Sequence, residues 1–228
     1  MVRQSFSRGV VTSELEQEPE PPRFGTRIQF WPDPEIFGAF TWDSCAIQRR
    51  LQQLVALRSQ LACRFVAAPQ WFPASLDLTS LLPKITWGSA LHGPAMCCGL
   101  TREHTTARVA LRWYARYSWP QEPVRSFCNM VETHEGKHLQ GFERGVGRVI
   151  AAAARQRFGS AWRKAYDHVA PYLAAVVAVE ILDPKWLSPV KDSPTNPELA
   201  EIVEAAIMTE LPVWFEHHPQ VLAALLDH

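Results

Sequence analysis

Residues 172–182, YLAAVVAVEIL, restrict more than any other stretch what this chain can become. The run is almost wholly apolar, rich in β-branched side chains and stopped by Asp183-Pro184. Those features predict a buried strand, because a buried helix of the same character would run longer and proline cannot donate to a sheet ladder. A buried strand needs neighbours, and the chain offers them. MCCGL followed by TARVALRWYARYS predicts a hairpin of β-branched and aromatic residues, and SFCNMVET predicts a third strand on the same sheet. LACRFVAA reads as a further strand, and the first forty residues, with short polar and apolar runs around an acidic proline-rich turn, as three short antiparallel strands.

Helical periodicity marks three longer elements. In residues 42–59, Ile47, Leu51, Leu54, Val55 and Leu57 recur at helical spacing behind Asp43 or Ser44 as cap. A second helix is predicted from about Lys137 to Phe158, turning Leu139, Phe142, Val146, Val149 and Ile150 inward. The last spans Glu198 to about His217, with Pro212 expected to end or kink it. Residues 73–82 suggest a short helix. Strands and helices mix without strict alternation, so the expected class is α+β rather than a doubly wound sheet.

Charge and cysteine usage exclude some functions. Lys plus Arg and Asp plus Glu both number 23, so no net basic field exists to hold a phosphate backbone and DNA contact is expected to be indirect. The five cysteines show no CxxC spacing and read as reduced, buried thiols of a cytoplasmic protein. No leader-like apolar region opens the chain, and no run approaches the roughly 18 apolar residues of a membrane span. The nine tryptophans, among them Trp31, Trp42, Trp113 and Trp162, are mostly expected to pack in the core or at an interface. Arg148, Arg155, Arg157, Arg163 and Lys164 form a basic cluster expected to be a solvated face. His217-His218 is expected to complement the carbonyl end of the last helix.

His134-Glu135-Gly136-Lys137-His138 spells HExxH, the pattern that places two zinc-binding imidazoles one helical turn apart with a general-base glutamate between. The longer pattern ends on Arg144 where a third ligand would stand, and Glu180 is an unmarked alternative. Gly136 lies between the two histidines, and a glycine inside a helix costs about 1 kcal/mol relative to alanine. The helix is therefore expected to begin after Gly136, leaving His134 on a turn and no metal site. A zinc hydrolase is the least favoured reading.

Several long segments, in order, resemble the bacterial DNA gyrase B family of type IIA topoisomerases, which includes the B subunits of topoisomerase IV. They are GTRIQFWPDPEIF at residues 25–37, RRLQQLVAL at 49–57, ARVALRWY at 107–114, KHLQGF at 137–142, DHVAPYLAAVVAVEILDPKW at 167–186 and SPVKDSPTNPELAEIVEAA at 188–206. The resemblance implies C-terminal strands of a GHKL-type ATPase domain over residues 1–40. Over 41–228 it implies a transducer domain of the ribosomal-S5-like kind, with a mixed sheet, helices on one face and a left-handed βαβ crossover. It puts Lys191 on the family's QTK-loop lysine, which meets the γ-phosphate, and Arg3 and Thr26 at the edge of the nucleotide pocket. Pro189 stands where the family has the glutamine of that loop, and Ala170-Pro171-Tyr172 where it has REG.

The GHKL glutamate, its metal-binding asparagine, the glycine-rich lid and the DNA-cleavage segments have no counterpart among these residues. ATP and Mg are the family's cofactors, and none is expected for this chain alone. The implied function is a gyrase B-like fragment or split subunit whose transducer couples ATP binding to strand passage, with no ATPase or DNA-cleavage activity by itself. The alternative is a non-catalytic module that modulates an intact gyrase or topoisomerase IV. Expected partners are gyrase or topoisomerase subunits, a separate GHKL half, or a second copy in a homodimer.

Overall fold

The computed structural model describes residues 2–17, 28–58, 60–66, 70–72, 76–83, 93–114, 123–160 and 162–227. The chain divides into two compact units, Met1–Ser44 and Cys45–His228. In the first, β1 (Val2–Arg3), β2 (Phe6–Ser7), β3 (Val10–Val11) and β4 (Glu16–Gln17) form two separate antiparallel ladders, β1 with β4 and β2 with β3. Arg8 and Gly9 close the β2–β3 hairpin with positive φ at both positions, which suits the twist of a two-residue turn. A single helical turn, α1 (Pro34–Phe37), follows, with the Asp33 carboxylate accepting from the Glu35 N–H at 2.9 Å. This replaces the three-strand expectation, and residues 28–33 of the expected third strand carry no strand. No described residue of this unit is buried; Trp31 and Trp42 are 78% and 53% exposed, so of the expected core or interface packing the core alternative does not hold for these two.

The second unit is built on a five-stranded mixed sheet. After α2 (Ser44–Leu57) come the small β5 (Cys63–Phe65) and β6 (Gln70–Phe72) pair and a 3-10 turn at Leu78–Leu81. Then follow β7 (Met96–Arg102), β8 (Thr105–Trp113), β9 (Val124–Cys128) and β10 (Val131–Thr133). The chain continues through α3 (Lys137–Phe158), α4 (Ala165–Val169), β11 (Leu173–Ile181), α5 (Glu198–His217) and α6 (Pro219–Leu226). The sheet order is β10-β9-β11-β8-β7, with β9 and β11 parallel and every other pair antiparallel.

Strand β11 is the centre of the sheet, as its composition requires. Ala175, Val177 and Val179 face the layer of α3 and α5, together with Val109, Leu111, Phe142, Ile150, Leu199 and Ile207. The alternate residues Val176 and Ala178 face the opposite side, where Ala56, Leu57, Leu78, Leu81 and Leu82 cover them. Both faces of the sheet are therefore packed. The expectation of helices on one face is corrected, because the end of α2 and the 3-10 turn form a second cover.

Other corrections have local causes. SFCNMVET is two strands rather than one, because Asn129 and Met130 take positive φ and fold β10 back on β9. The Asn129 side chain donates to the Ile181 carbonyl and accepts from the Ile181 N–H, both at 2.8 Å, so it continues the ladder beside β11 where the strand stops. Pro212 does not end α5, which runs on to His217. The expected helix over 73–82 is reduced to the 3-10 turn, residues 73–75 lying outside the described ones. LACRFVAA contributes only β5, and residues 67–69 lie outside the described ones. Of the cysteines only Cys128 is buried, and Cys45 and Cys97 are exposed, so burial is not the general state of the thiols. Trp113 is buried as expected. The His217 ring lies 2.8 Å from the Val213 carbonyl at the end of α5, the complementary role foreseen for it. No helix among the described residues is long and apolar enough to cross a membrane.

Glu180, unmarked in the sequence, lies between two guanidinium groups, Arg108 at 3.0 Å and Arg58 at 3.0 Å. Arg108 also donates to the Leu57 carbonyl, so this carboxylate joins the last turn of α2 to the central strands. Because Arg58 is half exposed, solvent screens part of the attraction. Glu180→Gln is expected to lower the unfolding free energy by about 1 kcal/mol, measured by urea denaturation, with the loss shrinking in high salt.

Candidate functional site

Beyond β11, residues 185–195 fold back on themselves into a hairpin-like loop. Its base is held by Asn196, only 3% exposed, whose side chain accepts from the Lys185 N–H at 2.6 Å and donates to the Asp183 carbonyl and to Glu198. Thr195 donates to the Lys185 carbonyl through both its N–H (2.7 Å) and its hydroxyl (3.1 Å), and the Leu187 N–H donates to the Ser193 carbonyl. At the tip, the Lys191 N–H donates to the Ser188 carbonyl at 3.2 Å, and Lys191 itself adopts φ +62°. Lys191 is exposed there, beside the exposed Pro189 and Val190.

The loop does not stand free of the helices. The Asp192 carbonyl accepts the N–H groups of His134 (3.1 Å) and Glu135 (3.4 Å), and the Pro194 carbonyl accepts that of Lys137 (3.0 Å). Thus the two carbonyls that bracket Ser193 are clamped by the turn that starts α3. Gly136 is required within this clamp for two reasons. Its φ is +133°, and an added Cβ would fall 2.7 Å from Pro194 Cδ and 2.8 Å from the Pro194 carbonyl oxygen. Between loop and turn lies a groove of about 400 Å³, lined by His134, Glu135, Lys137, Gln140, Leu187 and Thr195 among others.

Below the turn is a buried polar chain. Ser126 Oγ lies 2.7 Å from the Thr133 carbonyl oxygen and 2.7 Å from Thr133 Oγ1, which in turn lies 3.0 Å from His138 Nε2. All three residues are at most 3% exposed. Burial pushes the His138 imidazole down to about 4, so it is neutral across the ordinary pH range.

The HExxH letters therefore do not form a helical pair. Helix α3 begins at Lys137 with Gly136 as its cap residue, as the glycine argument predicts; His134 sits on the turn, while His138 is buried against Thr133. Among the described residues no group of three His, Cys, Asp or Glu is arranged to hold a metal ion. Glu180 is engaged by arginines instead. Of the nucleotide-pocket candidates, Thr26 lies outside the described residues. Arg3 is exposed on β1, opposite Glu16. Arg3 belongs to the first unit and Lys191 to the second, and the groove beside the Lys191 loop is built from the second unit alone. The basic cluster is partly neutralised, Arg148 pairing with Glu204 and Arg157 with Asp227. Sequence reasoning missed Asn196, Gly136 as a contact residue and the Ser126–Thr133–His138 chain; only the N-P pair at 196–197 hinted at a turn.

The fold of this chain is similar to those of solved ATPase regions of gyrase B and topoisomerase IV. The ATP-binding domain of Francisella tularensis topoisomerase IV superposes with a TM-score of 0.73 at 17% identity, covering 99% of this chain and 63% of that one. The 43K ATPase domain of Thermus thermophilus gyrase B gives 0.69 at 24% identity, with the same coverage of 99% and 63%. A family model described as DNA gyrase B matches residues 83–228. The chain belongs to the DNA gyrase B family. It is 28% identical to the gyrase B protein of Campylobacter jejuni over 99% of its length, and 25% identical to that of Chlamydia pneumoniae over 97%. The chain spans only 30% and 29% of the lengths of those two relatives.

Proposed function

We propose that this chain is the transducer region of a gyrase B-like type IIA topoisomerase, coupling nucleotide state to strand passage, and that it neither hydrolyses ATP nor cleaves DNA alone. On this reading residues 1–40 are the last strands of a GHKL domain and 41–228 the transducer. Lys191 is the cation offered to the γ-phosphate, offsetting charge that spreads over the phosphoryl oxygens. ATP and Mg come with the GHKL half, and DNA is met only through the assembled enzyme. The observation that carries the reading is the backbone clamp from Asp192 and Pro194 to the turn 134–137. A displacement of Lys191 is carried by it into α3, the 22-residue helix packed along α5, rather than being lost in a loose loop. The exposed Pro189 offers no donor, so this chain carries half of the family's two-residue phosphate contact.

The reading is tested by mixing the chain with the GHKL half of a related gyrase B. ATP hydrolysis above that of the half alone is expected, and Lys191→Ala is expected to lower it at least tenfold, since one lost charge-stabilising donor commonly costs that much or more. Pro189→Gln is expected to raise it. A mixture that hydrolyses no faster, or a Lys191→Ala chain that stimulates as well as the parent, removes the proposal.

A further inference from the structure

We infer that His138 is the positioning residue of the Lys191 loop, locked as the neutral Nε2–H tautomer by a one-way chain of hydrogen bonds through Thr133 and Ser126. The inference rests on the proposed role of Lys191 for its functional meaning, and on geometry alone for its tautomer and its latch.

The direction of the chain follows from counting protons. Ser126 Oγ has one proton and two neighbours at 2.7 Å, the Thr133 carbonyl oxygen and Thr133 Oγ1. A carbonyl only accepts, so the Ser126 proton points at it. Thr133 must then donate its own proton to Ser126 Oγ, or two lone pairs would face each other at 2.7 Å. That leaves Thr133 Oγ1 as the acceptor at the 3.0 Å contact, and the proton there comes from His138 Nε2. The opposite tautomer would place a proton on Nδ1, which is buried and has no hydrogen-bond partner among the described residues. A buried donor without an acceptor is rarer than a buried acceptor without a donor, so the second argument agrees with the first.

The lock matters because of where its ends lie. Thr133 is the last residue of β10, paired in register with Ser126 on β9, and His138 is the second residue of α3. Between them run the three N–H groups that hold the Lys191 loop, those of His134, Glu135 and Lys137. Fixing both ends of this short arch fixes those donors. The three locking side chains act on Lys191 through that backbone.

Three measurements on the folded chain and its mixture with a GHKL half decide the matter. Two-bond nitrogen–proton NMR correlations should show His138 protonated on Nε2 and bare on Nδ1; the reverse pattern overturns the proposal. Hydrogen exchange at the amides of His134, Glu135 and Lys137 should accelerate roughly tenfold or more in His138→Leu. It should return close to the parent rate in His138→Gln, whose amide offers an N–H at similar reach. Unchanged exchange in a folded His138→Leu chain overturns the latch, and if that variant does not fold, Thr133→Val carries the same test. In the mixture, the kcat for ATP should fall by about threefold or more in His138→Leu, with KM moved less, and recover in His138→Gln. Were the tautomer and exchange results as stated but Lys191→Ala without effect on hydrolysis, the latch would stand and the reading of Lys191 would fall.

Discussion

Gly141→Ala is expected to destabilise the fold by roughly 3 kcal/mol, at the upper end of what overpacking causes, measured as a drop in the urea midpoint at constant slope. Helices α3 and α5 meet at that glycine. A Cβ on Gly141 would lie 2.2 Å from the Ala200 carbonyl oxygen and 2.8 Å from Ala200 Cα, and both are backbone atoms that no rotamer change can move aside. One turn further along, Gly145 would bring a Cβ to 3.1 Å from Ile207. Between these glycines and beyond them, Arg144 and Arg148 reach across to the same carboxylate, Glu204, which is 13% exposed. The seam thus combines glycines where the helices approach most closely with arginines paired to a carboxylate of the facing helix. Gly147 supplies the control. Its nearest neighbour would be Tyr166 Cβ at an ordinary 3.4 Å, so Gly147→Ala is expected to be neutral or to stabilise by about 0.5–1 kcal/mol through helix propensity.

Acid should remove a comparable amount of stability through one imidazole. Burial holds the His138 ring down to about 4, against an ordinary value of 6.5. Between those two values the unfolded chain binds a proton that the folded chain refuses. Stability is therefore full above pH 6.5 and falls as pH drops towards 4, by about 3 kcal/mol for the whole window. Glu143 opposes this in part, because burial and the nearby Asp167 raise its carboxyl, so its protonation favours the folded state as pH falls. Comparing the parent with His138→Gln cancels that contribution. Urea midpoints at about pH 7 and pH 4.5 should diverge strongly for the parent and much less for the variant. Equal acid sensitivity in the two proteins would show that the imidazole is not responsible.

The sheet and its main helices were legible because burial leaves periodic marks. Residues 173–181 read as a strand since both of its faces are packed, which makes both alternate sets of side chains apolar. Helices α3 and α5 showed their spacing and their ends, Gly159 closing α3 in the left-handed conformation. What stayed hidden depends on partners far away in the chain. Asn129-Met130 looks like the inside of a strand until Ile181, 52 residues later, is seen to pair with the asparagine. Pro212 is a helix breaker by local rules, but Leu211 and Phe215 on either side of it are buried and hold the helix together. The loop clamp joins residues 134–137 to 192–194, and no periodicity reports such a contact. The KHLQGF segment identified the family before its physical meaning was visible. His138 is its locked imidazole, Gly141 its helix contact and Phe142 its fully buried core residue.

The first unit carries a consequence for how the molecule melts. With no described residue of that unit buried, its two small ladders have no interior of their own from which to draw cooperativity. Heat absorbed on unfolding should come from residues 45–228, as one transition scaled to that length. The β1–β4 and β2–β3 ladders should already be open to protease at temperatures where the five-stranded sheet is intact.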